Sequence, residues 1–363
     1  MIDFGSQSRQ RLGRFAPFLV RSPRFGNLGY VKISVPFSIQ QDFVKSSRAE
    51  LEILRTSIEN ELEKHPLPMF ARHEIAGRQP GPHLLITGGV HGDEFEPMAA
   101  IRQLMSLVNA EELRGRVTLV PVVNEPAFRL GQRAAEDGRD LARTCPGRAD
   151  GSITEQIAFQ LSELIRSADL YIDLHTGGTR LMVLPLSGYT LHANAEVLAQ
   201  QRKMARAFGL PIIWGTDPNL NGRSLSVARD ANVPAIYTEY EGGGRISVEG
   251  VWAYIQGCLN VMYEFGLLAG QPILPHDPPL IVEDDRQGAG HMQINHPAPC
   301  EGFFNAAVTL GQEVQADQVL GTIVDSLGQR EETIRARYAG LVIVLHTFPR
   351  VEAGVSVAVI LES

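Results

Sequence analysis

From about residue 67 to residue 268, apolar runs of strand length alternate with longer runs whose apolar residues recur at helical spacing. That alternation leaves few architectures open. Residues 84–87, 117–123, 170–174, 211–214 and 235–239 read as strands, and 95–108, 153–165, 193–208 and 248–265 as helices. A helix between successive strands lets them lie parallel, so a mainly parallel mixed α/β sheet with helices on both faces is predicted. Residues 271–295 are rich in Pro, Asp and Gly without periodicity, as a linker would be. After them come short β-branched runs separated by glycines, at 308–314, 318–324, 340–345 and 355–361, which predict a small all-β domain. The resulting division is an N-terminal arm (1–46), an α/β domain (47–272), a linker (273–289) and a C-terminal β domain (290–363).

Composition narrows the function classes. With 363 residues, 44% of them hydrophobic, the chain can bury more than one core. A formal charge of −8 gives no general attraction to nucleic acid or to an anionic membrane. No apolar run is long enough to span a bilayer. The three cysteines, Cys145, Cys258 and Cys300, are widely spaced and form no CxxC, which argues against a disulfide framework and a thiolate zinc site and suits a reducing cytoplasm. The first 32 residues hold Arg9, Arg11, Arg14, Arg21, Arg24 and Lys32 against one acid, Asp3. That is the composition of a basic surface arm or of a transit peptide, without the apolar core of a secretion signal. The only lysines are Lys32, Lys45, Lys64 and Lys203. None follows a Gly-rich loop, so a P-loop nucleotide site is excluded, and Schiff-base chemistry has little support.

The chemistry-bearing residues collect where strands end. Gly88-Gly89-Val90-His91-Gly92-Asp93-Glu94 follows the strand at 84–87 and opens a helix, so His91 and Glu94 stand at the sheet edge where ligands gather. His175 ends the run Tyr171-Ile172-Asp173-Leu174-His175 at the same edge. Two imidazoles and a carboxylate suit a catalytic zinc, which keeps a fourth position open. Asp173, on the same strand face as His175, could orient an imidazole. A third strand runs through Glu239 and Glu241 into Gly242-Gly243-Gly244 and offers either glutamate as a general base. The loop after Val123 carries Asn124, Arg129, Arg133, Arg139, Arg143 and Arg148, from which a carbonyl polariser and a carboxylate clamp could be drawn.

Taken together, these segments resemble the succinylglutamate desuccinylase/aspartoacylase family, relatives of the zinc carboxypeptidases, from about residue 67 to the C-terminus. The family's HGxE motif is similar to His91-Gly92-Asp93-Glu94, its later DLH ligand to Asp173-Leu174-His175, and its glutamate-then-glycines segment to residues 239–243. Its asparagine, arginine and DLNRxFPG stretch resembles residues 124–127, Arg133 and Asp140-Leu141-Ala142-Arg143-Thr144-Cys145-Pro146-Gly147. The resemblance implies one Zn2+ per chain on His91, Glu94 and His175. It implies Glu239 as the base, Arg133 at the oxyanion, and Arg143 with Asn124 on the substrate. Two positions depart from the pattern. Ala142 replaces the usual asparagine, removing a hydrogen bond to the substrate carboxylate. Glu241 stands where glycine is commoner, so the residues before it align Glu239 as the base and the glycines after it align Glu241.

The C-terminal segment resembles the barrel-sandwich domain that follows many such catalytic domains, and its halves look like biotinyl or lipoyl carriers. No lysine follows Lys203, so a swinging arm is excluded. The expected activity is zinc-dependent hydrolysis of the amide of a small N-acyl amino acid or related carboxylate-bearing amide, in the cytoplasm, with no nucleic-acid or membrane partner. Carboxypeptidase-like peptide hydrolysis and a non-catalytic metal-binding role are the alternatives, and homo-oligomer formation is left open.

Overall fold

The computed structural model describes residues 15–21, 30–36, 69–292 and 295–362. The chain divides at Leu67/Pro68 into two compact units. In the first, β1 (Phe15–Arg21) and β2 (Tyr30–Pro36) pair antiparallel. The rest of the expected arm and its boundary at 46/47 lie outside the described residues.

The second unit is built on one large sheet. Its strands are β3 (His73–Ala76), β4 (Gln79–Thr87), β5 (Arg114–Val120), β6 (Leu170–His175), β7 (Leu181–Thr190), β8 (Ile212–Thr216), β9 (Ala235–Gly242) and β10 (Leu280–Glu283), in the order β10-β8-β7-β9-β6-β4-β5-β3. β5, β4, β6 and β9 are mutually parallel, and β7 runs antiparallel to β9 but parallel to β8. The expected mixed, mainly parallel sheet is therefore present. Strand alternation divides the core in two. Leu84 and Ile86 of β4 join Ile172 and Leu174 of β6 on one face, beneath α1 (Phe95–Leu107), α4 (Ala195–Phe208) and α6 (Val248–Glu264). Leu85 and Tyr171 point to the other face, beneath α3 (Ile153–Arg166) and α5 (Ser224–Asp230). With both faces covered, the central strands can be apolar throughout, which is why they read as unbroken runs.

Three expectations are corrected. The strand expected at 117–123 stops at Val120, and α2 (Glu125–Leu130) follows within a few residues. The expected linker contains β10, which lies parallel to β8 in the register Leu280↔Ile212. Its Glu283 accepts from Tyr189 Oη at 2.6 Å and from Arg202 Nε and Nη2 at 2.7 Å each. A four-residue, half-exposed edge strand is too short to show a period. Of the strand expected at 308–314, only β12 (Glu313–Val314) is extended.

The C-terminal β strands form two layers around a core that includes Phe304, Leu320, Ile323, Val342 and Ile360. One layer is β14-β13-β11-β16: β11 (Gly302–Ala306), β13 (Val319–Val324), β14 (Glu331–Arg335) and β16 (Arg350–Val351). The other joins β12 and β17 (Ala358–Leu361) to β15 (Gly340–His346), which pairs with residues 181–183 of β7. Beyond the shift between Val183 and Leu186, β7 pairs with β8 instead, so it forks the sheet and carries the β domain on the catalytic one.

Candidate metal centre and catalytic pocket

The loop between β4 and α1 is fixed by its own backbone. Gly88 N donates to Val120 O at 2.9 Å, Val123 N to Gly88 O at 3.0 Å, and Asn124 N to Gly89 O at 2.8 Å. Gly92 lies against the first turn of α2; a Cβ there would sit 2.0 Å from the Ala127 carbonyl carbon. These contacts aim His91 and Glu94 inward, where both are buried. Asp93 accepts from Thr179 N and Oγ1 at 2.9 Å each, tying this loop to the one after His175.

His91, Glu94 and His175 converge, each offering one ligand atom within 4.8 Å of the others. His91 Nδ1 lies 2.6 Å from Glu94 Oε1, and His175 Nδ1 lies 2.9 Å from Glu94 Oε2. Each Nε2 is backed by a second carboxylate, Asp140 Oδ1 at 3.3 Å for His91 and Asp173 Oδ2 at 3.1 Å for His175. An Nε2–H donated to those carboxylates leaves both Nδ1 lone pairs facing the Glu94 oxygens. Such a ring of acceptors needs a proton or a cation at its centre, so the donor set fits a divalent metal. The electrostatics agree. Burial would raise the Glu94 pKa, but His91 and His175 outweigh it and hold the carboxyl well below its usual range. Burial would lower the His175 pKa, but Asp173 and Glu94 push it well above the ordinary imidazole value. Asp173 is held in turn by Thr87 Oγ1 at 2.8 Å and by Ser224 Oγ. The His175 carbonyl accepts from Tyr254 Oη.

Glu239 stands beside His175 in the β6–β9 register, and its carboxyl lines the same pocket as His91 and His175. It is 7% exposed, its Oε2 has no hydrogen-bond partner among the described residues, and burial, reinforced by Glu94 against the opposing His175, holds its pKa well above the carboxylate range. Glu241 does not share this position. The chain there takes φ +48°, breaking the strand alternation, and Glu241 does not line the pocket.

Arg133 and Arg143 both line the pocket, a cavity of about 60 Å³. Arg133 donates Nε and Nη2 to Asp140 Oδ2 at 3.2 and 3.0 Å and brings Nη1 within 4.0 Å of Glu94 Oε1. Arg143 donates Nη1 to Ala142 O at 2.6 Å; burial and the nearby Arg223 bring its pKa down to about 10. Asn124 is the exception among the expected site residues. Fully buried, it caps α2 by accepting from Ala127 N at 3.3 Å, and its Nδ2 donates to Val90 O at 3.4 Å. Its amide holds the ligand loop and does not face the pocket. Arg223, before α5, also lines the pocket and was not anticipated. Its only sequence signal is a basic residue before a short helix.

The chain is similar to several known proteins. The succinylglutamate desuccinylase/aspartoacylase catalytic domain matches residues 80–264. The N-alpha-acetyl-L-2,4-diaminobutyric acid deacetylase of Halomonas elongata is 33% identical over 296 residues, covering 79% of this chain and 84% of that protein. Among solved structures, the product-bound ectoine utilization protein EutE (DoeB) from Ruegeria pomeroyi superposes with a TM-score of 0.73 at 30% identity, covering 80% of this chain and 87% of that one. A succinylglutamate desuccinylase/aspartoacylase from Rhodobacter sphaeroides gives 0.70 at 28% identity over the same shares.

Proposed function

Since the chain belongs to the succinylglutamate desuccinylase/aspartoacylase family, we propose that it is a zinc-dependent deacylase of small N-acyl amino acids. The observation that carries this reading is the convergence of His91, Glu94 and His175 at the sheet edge with Glu239 next in register. Zinc held by those three side chains would polarise the amide carbonyl and lower the pKa of a water. Glu239 takes the proton of the attacking water on its carboxylate and returns it to the leaving nitrogen; burial, which raises its pKa, makes it a stronger base for that transfer. Arg133, steadied by Asp140, offers its guanidinium to the oxyanion of the tetrahedral intermediate. Asp173 and Asp140 keep the two imidazoles oriented.

Arg143 and Arg223 are the anchors for substrate carboxylate, with Ala142 leaving room where an amide would narrow the pocket. A cavity of about 60 Å³ fits a small amide better than a peptide. The Halomonas relative is named for deacetylating an N-acetyl diamino acid, so N-acetyl-2,4-diaminobutyrate heads a substrate panel with N-succinyl and N-formyl amino acids. In the decisive test, Glu239→Gln keeps one zinc per chain and loses about 10²–10⁴-fold in kcat. Unchanged turnover would remove Glu239 from the mechanism, and turnover of short peptides in preference to acyl amino acids would overturn the deacylase reading.

A further inference from the structure

A second cavity, of about 260 Å³, adjoins the catalytic pocket. Trp214 and Val282 on the β8–β10 edge form one wall, and Val359 and Leu361 from the end of the chain form the other. Trp214 is 4% exposed and its indole Nε1–H has no acceptor among the described residues. Two arginines and two acids, Asp284 and Glu362, also line the cavity. Arg286 is held by Asp284 at 2.6 Å and by Glu362 at 2.8 Å. Arg337 makes no ion pair among the described residues. An exposed guanidinium without an ion pair among the described residues, beside a lining of Trp214, Val282, Val359 and Leu361, is complementary to a carboxylate on a short apolar body.

The two cavities share a wall. Gly290 lines both. Its carbonyl accepts from Arg223 Nη1 and Nη2 at 3.3 and 3.4 Å, and a Cβ on it would meet Thr216 Cγ2 at 2.5 Å, so it has no slack on the catalytic side. The same segment is pinned by Gly288 N donating to Asp217 Oδ2 at 2.8 Å.

We propose that this second cavity binds a small organic carboxylate and that its occupancy reaches the catalytic pocket through Gly290 and Arg223. The binding claim stands on the cavity alone. The coupling rests on the deacylase reading, in which hydrolysis releases a short carboxylic acid and an amino acid, both of this ligand class.

The chain has two tryptophans, and Trp252 is 57% exposed and lines neither cavity. In Trp252→Phe all tryptophan emission therefore comes from Trp214. Acetate, succinate and glycine, each titrated at constant ionic strength, distinguish the acid from the amino acid as ligand. At least one should give a saturable change in emission, and adding Arg337→Ala should weaken it at least tenfold. Absence of saturation with all three, or equal saturation in the Arg337→Ala background, overturns the site whether or not the protein deacylates anything. With Arg337 in place, a saturating ligand should shift KM severalfold at nearly constant kcat. Saturable binding with no KM shift, or a KM shift that persists in Arg337→Ala and so reflects product inhibition in the catalytic pocket, overturns the coupling.

Discussion

A single methyl group on Gly92 tests whether the ligand loop is positioned by backbone contact with α2. A Cβ at Gly92 would lie 2.0 Å from Ala127 C, 2.2 Å from Phe128 N and 2.3 Å from Ala127 O, all main-chain atoms. Ordinary carbon contacts begin near 3.5 Å, so loop and helix must separate by about 1.5 Å in Gly92→Ala. The helix cannot retreat alone, because Asn124 caps it and donates its own N–H to Gly89 O at 2.8 Å. The displacement falls instead on His91 and Glu94. Overpacking of this kind costs about 1–3 kcal/mol, and a shift of roughly 1 Å in a reacting geometry costs on the order of 10²-fold in rate. Gly131→Ala is the matched control: Gly131 has φ +62° and nothing among the described residues within 4 Å of a built Cβ. It bears about 1–2 kcal/mol of left-handed strain without a collision. Both variants should lose similar stability in urea unfolding, while only Gly92→Ala loses zinc affinity, measured by competition with a chromophoric chelator, and kcat. Wild-type zinc affinity in Gly92→Ala, or an equal loss in Gly131→Ala, would refute the argument.

Asn124→Ala should cost about 1–2 kcal/mol of stability by uncapping α2, whereas Arg143→Ala should raise KM and leave the unfolding midpoint in place. If Asn124→Ala raises KM at unchanged stability, Asn124 is a substrate ligand after all. Asp137 accepts from Ser152 Oγ at 2.7 Å and from Thr154 N and Oγ1 at 3.1 and 2.7 Å. Burial opposes its charge, but the bonds from Ser152 and Thr154 prevail and hold its pKa below the ordinary value. A depressed folded pKa stabilises fully above the unfolded value, near pH 4, and that stabilisation fades as pH falls through the folded one. Asp137→Asn should thus be less stable than wild type at pH 7, by under about 1 kcal/mol given the exposure of the site, with the gap narrowing toward pH 3. A gap that widens on acidification contradicts that sign.

The α/β alternation was legible because the central strands are buried on both faces and their helices carry a single apolar stripe. β7 was not. Its half-buried first residues, Pro185 and Gly188 blur any period, and its place comes from partners distant in sequence, β9 on one side and β8 or β15 on the other. β10 escaped notice for the related reason that an edge strand shows little pattern of its own. Of the site residues, His91 and Glu94 were visible because they follow a strand, His175 because it ends one, and Glu239 because it stands beside His175 on the next strand at the same sheet edge.

What was hidden is the support around them, and it shares one property. Asp140 is in a recognisable motif, but that it bridges His91 Nε2 to the Arg133 guanidinium follows only when the loop after α2 folds back over the sheet edge. Asp93 looks like the variable position of HGxE, yet a Cβ at Gly178 would come within 2.8 Å of its Oδ2. Asp93, which accepts from Thr179 N and Oγ1, therefore fixes the Thr176–Thr179 turn. Ligand chemistry can be read from residue type and strand position, since donor atoms are chosen for the ion. The groups that orient those donors are chosen by proximity in the folded chain, so any short polar residue on a neighbouring loop can serve. In Asn124 the two demands diverge: the residue type suits a substrate ligand, while its buried position makes it a helix cap.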